Sequence, residues 1–72
     1  MNPDDPEIHK YAGHLLFENG AFEDAIQAYE NGEISETIEN YDVFLTRAKT
    51  FFLLGRFDKA LSDLEVVTSL KP

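Results

Sequence analysis

Residues 15–29 read LLFENGAFEDAIQAY and residues 50–64 read TFFLLGRFDKALSDL, and the two stretches match at a shift of 35 residues. Gly20 falls on Gly55, Phe22 on Phe57, Ala25 on Ala60, Ile26 on Leu61 and Tyr29 on Leu64. Gly13 falls on Ala48, a pair of small residues that would let two helix backbones approach closely. On both sides of each glycine, apolar residues recur at three- and four-residue intervals, the period of an amphipathic helix. Each stretch therefore predicts two helices joined by a very short turn, and the chain carries this unit twice.

Working outward, Asp5-Pro6-Glu7 supplies an N-cap acceptor, a proline for the first helical position and an acid near the helix N-terminus. Ile8, Tyr11, Ala12, Leu15 and Leu16 then form one apolar stripe up to Gly20, and Phe22, Ala25, Ile26 and Tyr29 form a second. Phe44, Ala48, Phe51 and Phe52 precede Gly55, and Phe57, Ala60, Leu61, Leu64 and Val67 follow it. The expected fold is all-α, with four antiparallel helices near residues 6–18, 22–37, 42–54 and 57–70 forming two stacked helix-turn-helix hairpins.

The triplet Glu-Asn-Gly occurs twice, at 18–20 and at 30–32, and Asn-Gly is a turn signal in either place. The internal match gives the two copies different roles. Gly20 pairs with Gly55 and predicts a helix stop at positive φ, where a Cβ would be strained. Gly32 pairs with Val67, inside a helix, so the second helix is expected to run through Gly32 to about Thr37. On that basis Gly32→Ala would stabilise by up to about 1 kcal/mol.

The spacing Gly-x-Phe-x-x-Ala-Ile/Leu-x-x-Tyr/Leu, with a small residue seven positions before the glycine, resembles the tetratricopeptide repeat. That family's unit has 34 residues. Here one unit would run over 6–39, Asn40 would be an extra residue, and a second unit would run over 41–72 within a single domain, 1–72. Pro72 lands on the proline that closes the family's unit, whereas Thr37 stands near the end of the first. The family's early aromatic is His9 and Phe44, and its leucine three residues later is Ala12 and Arg47. The resemblance implies a short α-solenoid.

Seventy-two residues with no cysteine leave little room for a buried active site and exclude disulfides, thiolate metal ligands and cysteine nucleophiles. The start MNPDDPEIHK is acidic where a signal peptide would be basic and then apolar, and no apolar run reaches the ~20 residues of a membrane span, which points to a cytoplasmic protein. Net charge is −8, and residues 11–46 hold eight acids with no Lys or Arg. Nucleic acid is thereby disfavoured as a partner, because phosphate binding needs a basic stripe. His9 and His14 sit about 140° apart on a helix and cannot share a metal as an i, i+4 pair could. The carboxylates have no sequestering environment, and Ser35, Ser62 and Ser69 have no histidine-plus-carboxylate context. No enzyme, cofactor or metal site is expected.

The resemblance implies instead an interaction scaffold, in which the first helix of each unit lines a concave groove for a peptide or helix. It carries the groove onto Glu7, Lys10, His14, Phe17 and Glu18 in one unit and Asp42, Leu45, Lys49, Phe52 and Leu53 in the other. Phe17, Leu45, Phe52 and Leu53 would be the apolar anchors, with Lys10, His14 and Lys49 beside them. A branch of the family clamps a C-terminal carboxylate; Lys10 matches its lysine, but His14 and Lys49 stand where it has asparagines, and Glu7, Glu18 and Asp42 would repel an acidic peptide. The alternative is a structural pair of repeats, excised or designed, with no dedicated ligand. It would self-associate as a homodimer through an uncapped last helix exposing Val66, Val67 and Leu70.

Overall fold

The computed structural model describes residues 5–72, so the first part of the acidic start read above, residues 1–4, lies outside the described residues. Four α-helices follow one another: α1 (Pro6–Glu18), α2 (Phe22–Asn31), α3 (Tyr41–Leu53) and α4 (Phe57–Leu70). A single 3-10 turn, Ile38–Asn40, leads directly into α3, and no strand occurs among the described residues. Both ends of α1 lie 35 residues from the corresponding ends of α3, and α2 and α4 begin 35 residues apart.

Local chemistry accounts for these boundaries. The Asp5 carboxylate accepts a hydrogen bond from the Glu7 backbone N–H at 3.0 Å, capping α1 as the sequence predicts. At the far end the Gly20 N–H donates to the Phe17 carbonyl and the Ala21 N–H to the Leu16 carbonyl, both at 2.9 Å. Gly55 and Arg56 repeat this arrangement on Phe52 and Phe51, at 3.0 and 2.8 Å. This double bond is the Schellman closure, which needs a left-handed residue after the helix. Gly20 and Gly55 supply it with φ of +79° and +77°.

The second helix departs from expectation. It stops at Asn31 rather than continuing to Thr37, and Gly32 follows it as the C-cap. The chain turns at the next residue, Glu33, whose φ is +49°, and Gly32 itself lies beneath α1, where an added Cβ would stand 2.8 Å from the His9 Cβ and 3.1 Å from Ile34 Cδ1. Gly32→Ala is therefore disfavoured by overlap, the reverse of the sign expected from helix propensity. Asn40, the extra residue of the internal match, fastens the connecting loop. It is buried, and its side-chain Nδ2 donates to the Ser35 carbonyl at 3.0 Å.

α3 occupies the centre, against α4, α2 and α1. It contributes Val43, Phe44, Ala48 and Phe51 to the core, α2 contributes Ala25, Ile26 and Tyr29, and α4 contributes Ala60 and Val67. Full burial of such side chains is worth about 1.5–3 kcal/mol for each large one. The buried polar groups are satisfied: Thr50 Oγ1 donates to the Thr46 carbonyl at 2.7 Å, and Arg47 grips the buried Asp63 carboxylate through Nε and an Nη, both at 2.7 Å. Among the described residues no helix is long and apolar enough to cross a membrane.

Candidate functional site

Where α3 and α4 meet the end of α1, they leave an open apolar cleft of about 370 Å³. Its lining is Phe17 from α1, Ala48, Lys49, Phe52 and Leu53 from α3, and Ala60 and Leu64 from α4. The amphipathic period places these side chains together: 48, 49, 52 and 53 lie on one face of α3, while 60 and 64 are one turn apart on α4. Phe52 stacks at a tilt on Phe57, with ring centroids 5.5 Å apart, and Phe17 on Phe22 at 5.6 Å. The rim thus consists of aromatic pairs that are themselves only partly covered.

Exposure is the unusual feature. Phe52 is 63% exposed, Leu53 56% and Leu64 41%, with Phe57 and Leu61 similarly open on α4. Contiguous apolar surface of this kind marks an interaction surface more often than scattered exposed residues do. Lys49, itself exposed, is the only charged residue of the cleft lining among the described residues.

Of the ten groove positions taken from the sequence, Phe17, Lys49, Phe52 and Leu53 meet in this cleft. Leu45 is half-buried on α3 and does not line it. Lys10 is engaged on its own helix, its Nζ 2.9 Å from Glu7 Oε1, a bond that raises its pKa. His14 joins a polar junction of three helices: its Nδ1 lies 2.7 Å from the Tyr29 hydroxyl and its Nε2 3.3 Å from Asp42 Oδ2. In the tautomer with hydrogen on Nε2, the Tyr29 O–H donates to Nδ1 and Nε2–H points to the carboxylate. Burial pushes the Tyr29 phenol up to about 12, with the Asp42 charge acting in the same direction.

Three cleft residues, Ala48, Ala60 and Leu64, are missed by the groove drawn from the sequence: Ala48 reads there as a small packing residue, and Ala60 and Leu64 lie on the second helix of their pair. The last helix also differs from expectation. Val67 is buried and Val66 and Leu70 are half-buried, so the open face of α4 is Phe57, Leu61 and Leu64 instead. The rotation of α4 against α3 decides this: Ala60, Asp63 and Val67 form the buried stripe, with Asp63 held by Arg47, and the stripe beside it is left to solvent.

No group of three or more His, Cys, Asp or Glu side chains among the described residues is placed to hold a metal ion. No protein-family model matches the chain, no curated protein matches it, and no solved structure matches it.

Proposed function

We propose that the chain is a non-catalytic protein-protein interaction module that takes an apolar helix or extended segment of a partner into the cleft between α3 and α4. The observation that carries the reading is the exposed, continuous apolar lining formed by Phe52, Leu53 and Leu64 on a helical frame with a satisfied core. Helix-in-groove recognition uses anchors of this kind, and buried aromatic contacts at a groove centre usually dominate affinity. The 35-residue repetition of helix boundaries supports the resemblance to tetratricopeptide repeats, with α1/α2 and α3/α4 as antiparallel hairpins of a two-unit solenoid.

Charge selects among candidate segments. With a net charge of −8, the protein favours neutral or basic segments, and Lys49 can pair with one isolated carboxylate among the anchors. Carboxylate clamping of an acidic tail receives no support from the site, since Lys10 is held by Glu7 and His14 by Tyr29 and Asp42.

The test is a nitrogen-15 NMR titration with synthetic amphipathic peptides carrying Leu or Phe at i, i+3 and i+7, in basic, neutral and acidic versions. Shifts confined to residues 17, 48–53, 60 and 64 are expected with the basic and neutral peptides, and Phe52→Ala should weaken them about tenfold or more, Lys49→Ala less. No shift with any apolar peptide would overturn the reading, as would binding of the acidic version lost on Lys10→Ala and indifferent to Phe52→Ala.

A further inference from the structure

We infer that the occupant of this cleft is helix α1 of a second copy of the chain, so that copies join head to tail. The inference rests on the interaction reading above and identifies its partner. Its basis is what the same positions do inside one molecule. In the first helix pair, Ile26 and Tyr29 are covered by α3 and are 4% and 0% exposed; their counterparts in the second pair, Leu61 and Leu64, are 59% and 41% exposed. α3 therefore fills a slot on the first pair that recurs, uncovered among the described residues, on the second.

The helix that would fit must present what α3 presents to the first pair. On α3 that stripe includes Asp42, 3.3 Å from His14 Nε2, and Thr46, beside Tyr29, and it continues at four-residue spacing to the fully buried Thr50. Thirty-five residues earlier the same positions on α1 are Glu7, Tyr11 and Leu15. All three face outward: Tyr11 is 59% and Leu15 65% exposed, two large apolar side chains without cover on the outer face of a helix.

Charge and size match locally at the new junction, while the −8 carried by each copy opposes the contact overall, a repulsion that salt screens. His14 and Asp42 meet at the internal one; their counterparts are Lys49 on the cleft and Glu7 on the incoming α1, opposite charges at the same two positions. Inside the molecule the large Tyr29 lies beside the small Thr46, one turn before Thr50. Between copies a smaller Leu64 would face the larger Tyr11 and Leu15, so the volumes exchange sides and the sum is nearly kept. A contact between two different faces is heterologous, and unless its rotation closes a ring it extends into an open chain.

Sedimentation equilibrium on the full chain, from about 10 μM to about 1 mM, tests this, because mass should rise with concentration past the dimer without a fixed endpoint. Leu61→Glu, on the open α4 stripe beside the cleft lining, blocks the cleft side and Leu15→Glu the α1 side; both residues are exposed, so circular dichroism should show the helices retained. Each variant alone should be monomeric, and an equimolar mixture should form a one-to-one dimer and stop there. Lys49→Glu should weaken association about tenfold, and mixing it with a Glu7→Lys variant should restore it. A wild-type chain that stays monomeric throughout overturns the inference, and so does a dimer that survives Leu15→Glu while Leu61→Glu abolishes it, the mark of a two-fold contact through α4. If the monomeric chain still shows peptide shifts in the cleft, only the choice of partner fails; if it shows neither, the interaction reading falls with it.

Discussion

Where the first helix pair places Gly13 against the Tyr29 ring, the second carries Ala48 and Leu64, and where the first has Ala12 and Ala28, the second has Arg47 and Asp63. The two pairs share a backbone plan but join their helices by different means. In the first, a glycine makes room for a tyrosine whose hydroxyl reaches His14. In the second, the helices are tied by a two-pronged ion pair, the Arg47 side chain reaching from α3 to Asp63 of α4 and lying 5.2 Å over the Phe44 ring. Repetition thus fixes where helices start and turn, while the contents of the interface are free to diverge provided that bulk and charge stay matched.

The ion pair gives the largest expected effect. Asp63 is 4% exposed, so Asp63→Ala leaves the Arg47 guanidinium without its carboxylate in a largely desolvated place, which costs about 3 kcal/mol. The double substitution Arg47→Ala with Asp63→Ala reproduces the alanine pair of the first unit and should lose much less. Urea unfolding of the three variants decides it; a double variant as unstable as Asp63→Ala would show that the two pairs do not tolerate the same exchange.

Gly13→Ala probes the other side of the comparison. An added Cβ would lie 2.6 Å from Tyr29 Cδ1, so the ring or the helix must move, at about 2 kcal/mol. Adding Tyr29→Leu, which copies the second pair, should recover part of that loss, visible as favourable coupling in a double-mutant cycle. Tyr29 also makes stability fall at high pH. Its pKa lies at about 12 in the folded protein, raised by burial from an ordinary 10.0, so the folded state holds the proton more tightly than the unfolded chain does. Its contribution is complete below pH 10 and drains away as pH rises through 12. The stability difference between wild type and Tyr29→Phe, measured across that window, should shrink; a constant difference would mean that the phenol is not desolvated.

Features set by neighbours along the chain are legible in the sequence alone. The Asp5 cap, the stops at Gly20 and Gly55 and the helix starts at Pro6, Phe22 and Phe57 all follow from local backbone chemistry. Phe17, Phe52 and Leu53 are legible as site residues through the groove positions that the resemblance to tetratricopeptide repeats implies for them. Leu64 and the open face of α4 are not, since which stripe a helix buries depends on how it is rotated against α3. Gly32 misleads for a related reason. Alignment with Val67 favours a continuous helix, against the poor helix propensity of glycine, but the chain turns left-handed at Glu33 and the glycine serves the close approach of His9. Gly32→Ala is expected to cost about 1–2 kcal/mol, and a gain in thermal stability would restore the continuous helix.

The smallest effect concerns the residue after that glycine. At Gly20 and Gly55 a glycine occupies the left-handed position that closes the helix, but after α2 the left-handed residue is Glu33, at φ 49°, while Gly32 stays at φ −79°. The glycine there is used for space beneath His9, and the dihedral requirement passes to its neighbour. A residue with a Cβ in this conformation carries about 1–2 kcal/mol of strain, and Glu33 is exposed, with no hydrogen bond of its side chain among the described residues to offset it. Glu33→Gly removes the strain but gives the unfolded chain more freedom to lose, a cost of about 0.5–1 kcal/mol. The balance is a gain of about 0.5 kcal/mol, readable as a small rise in the urea midpoint at unchanged slope. The same exchange has no counterpart at the α1 and α3 ends, where glycine already stands. A loss of stability on Glu33→Gly would mean that the third helix end is held by the Glu33 side chain, and that the two kinds of turn differ in more than the placement of their glycine.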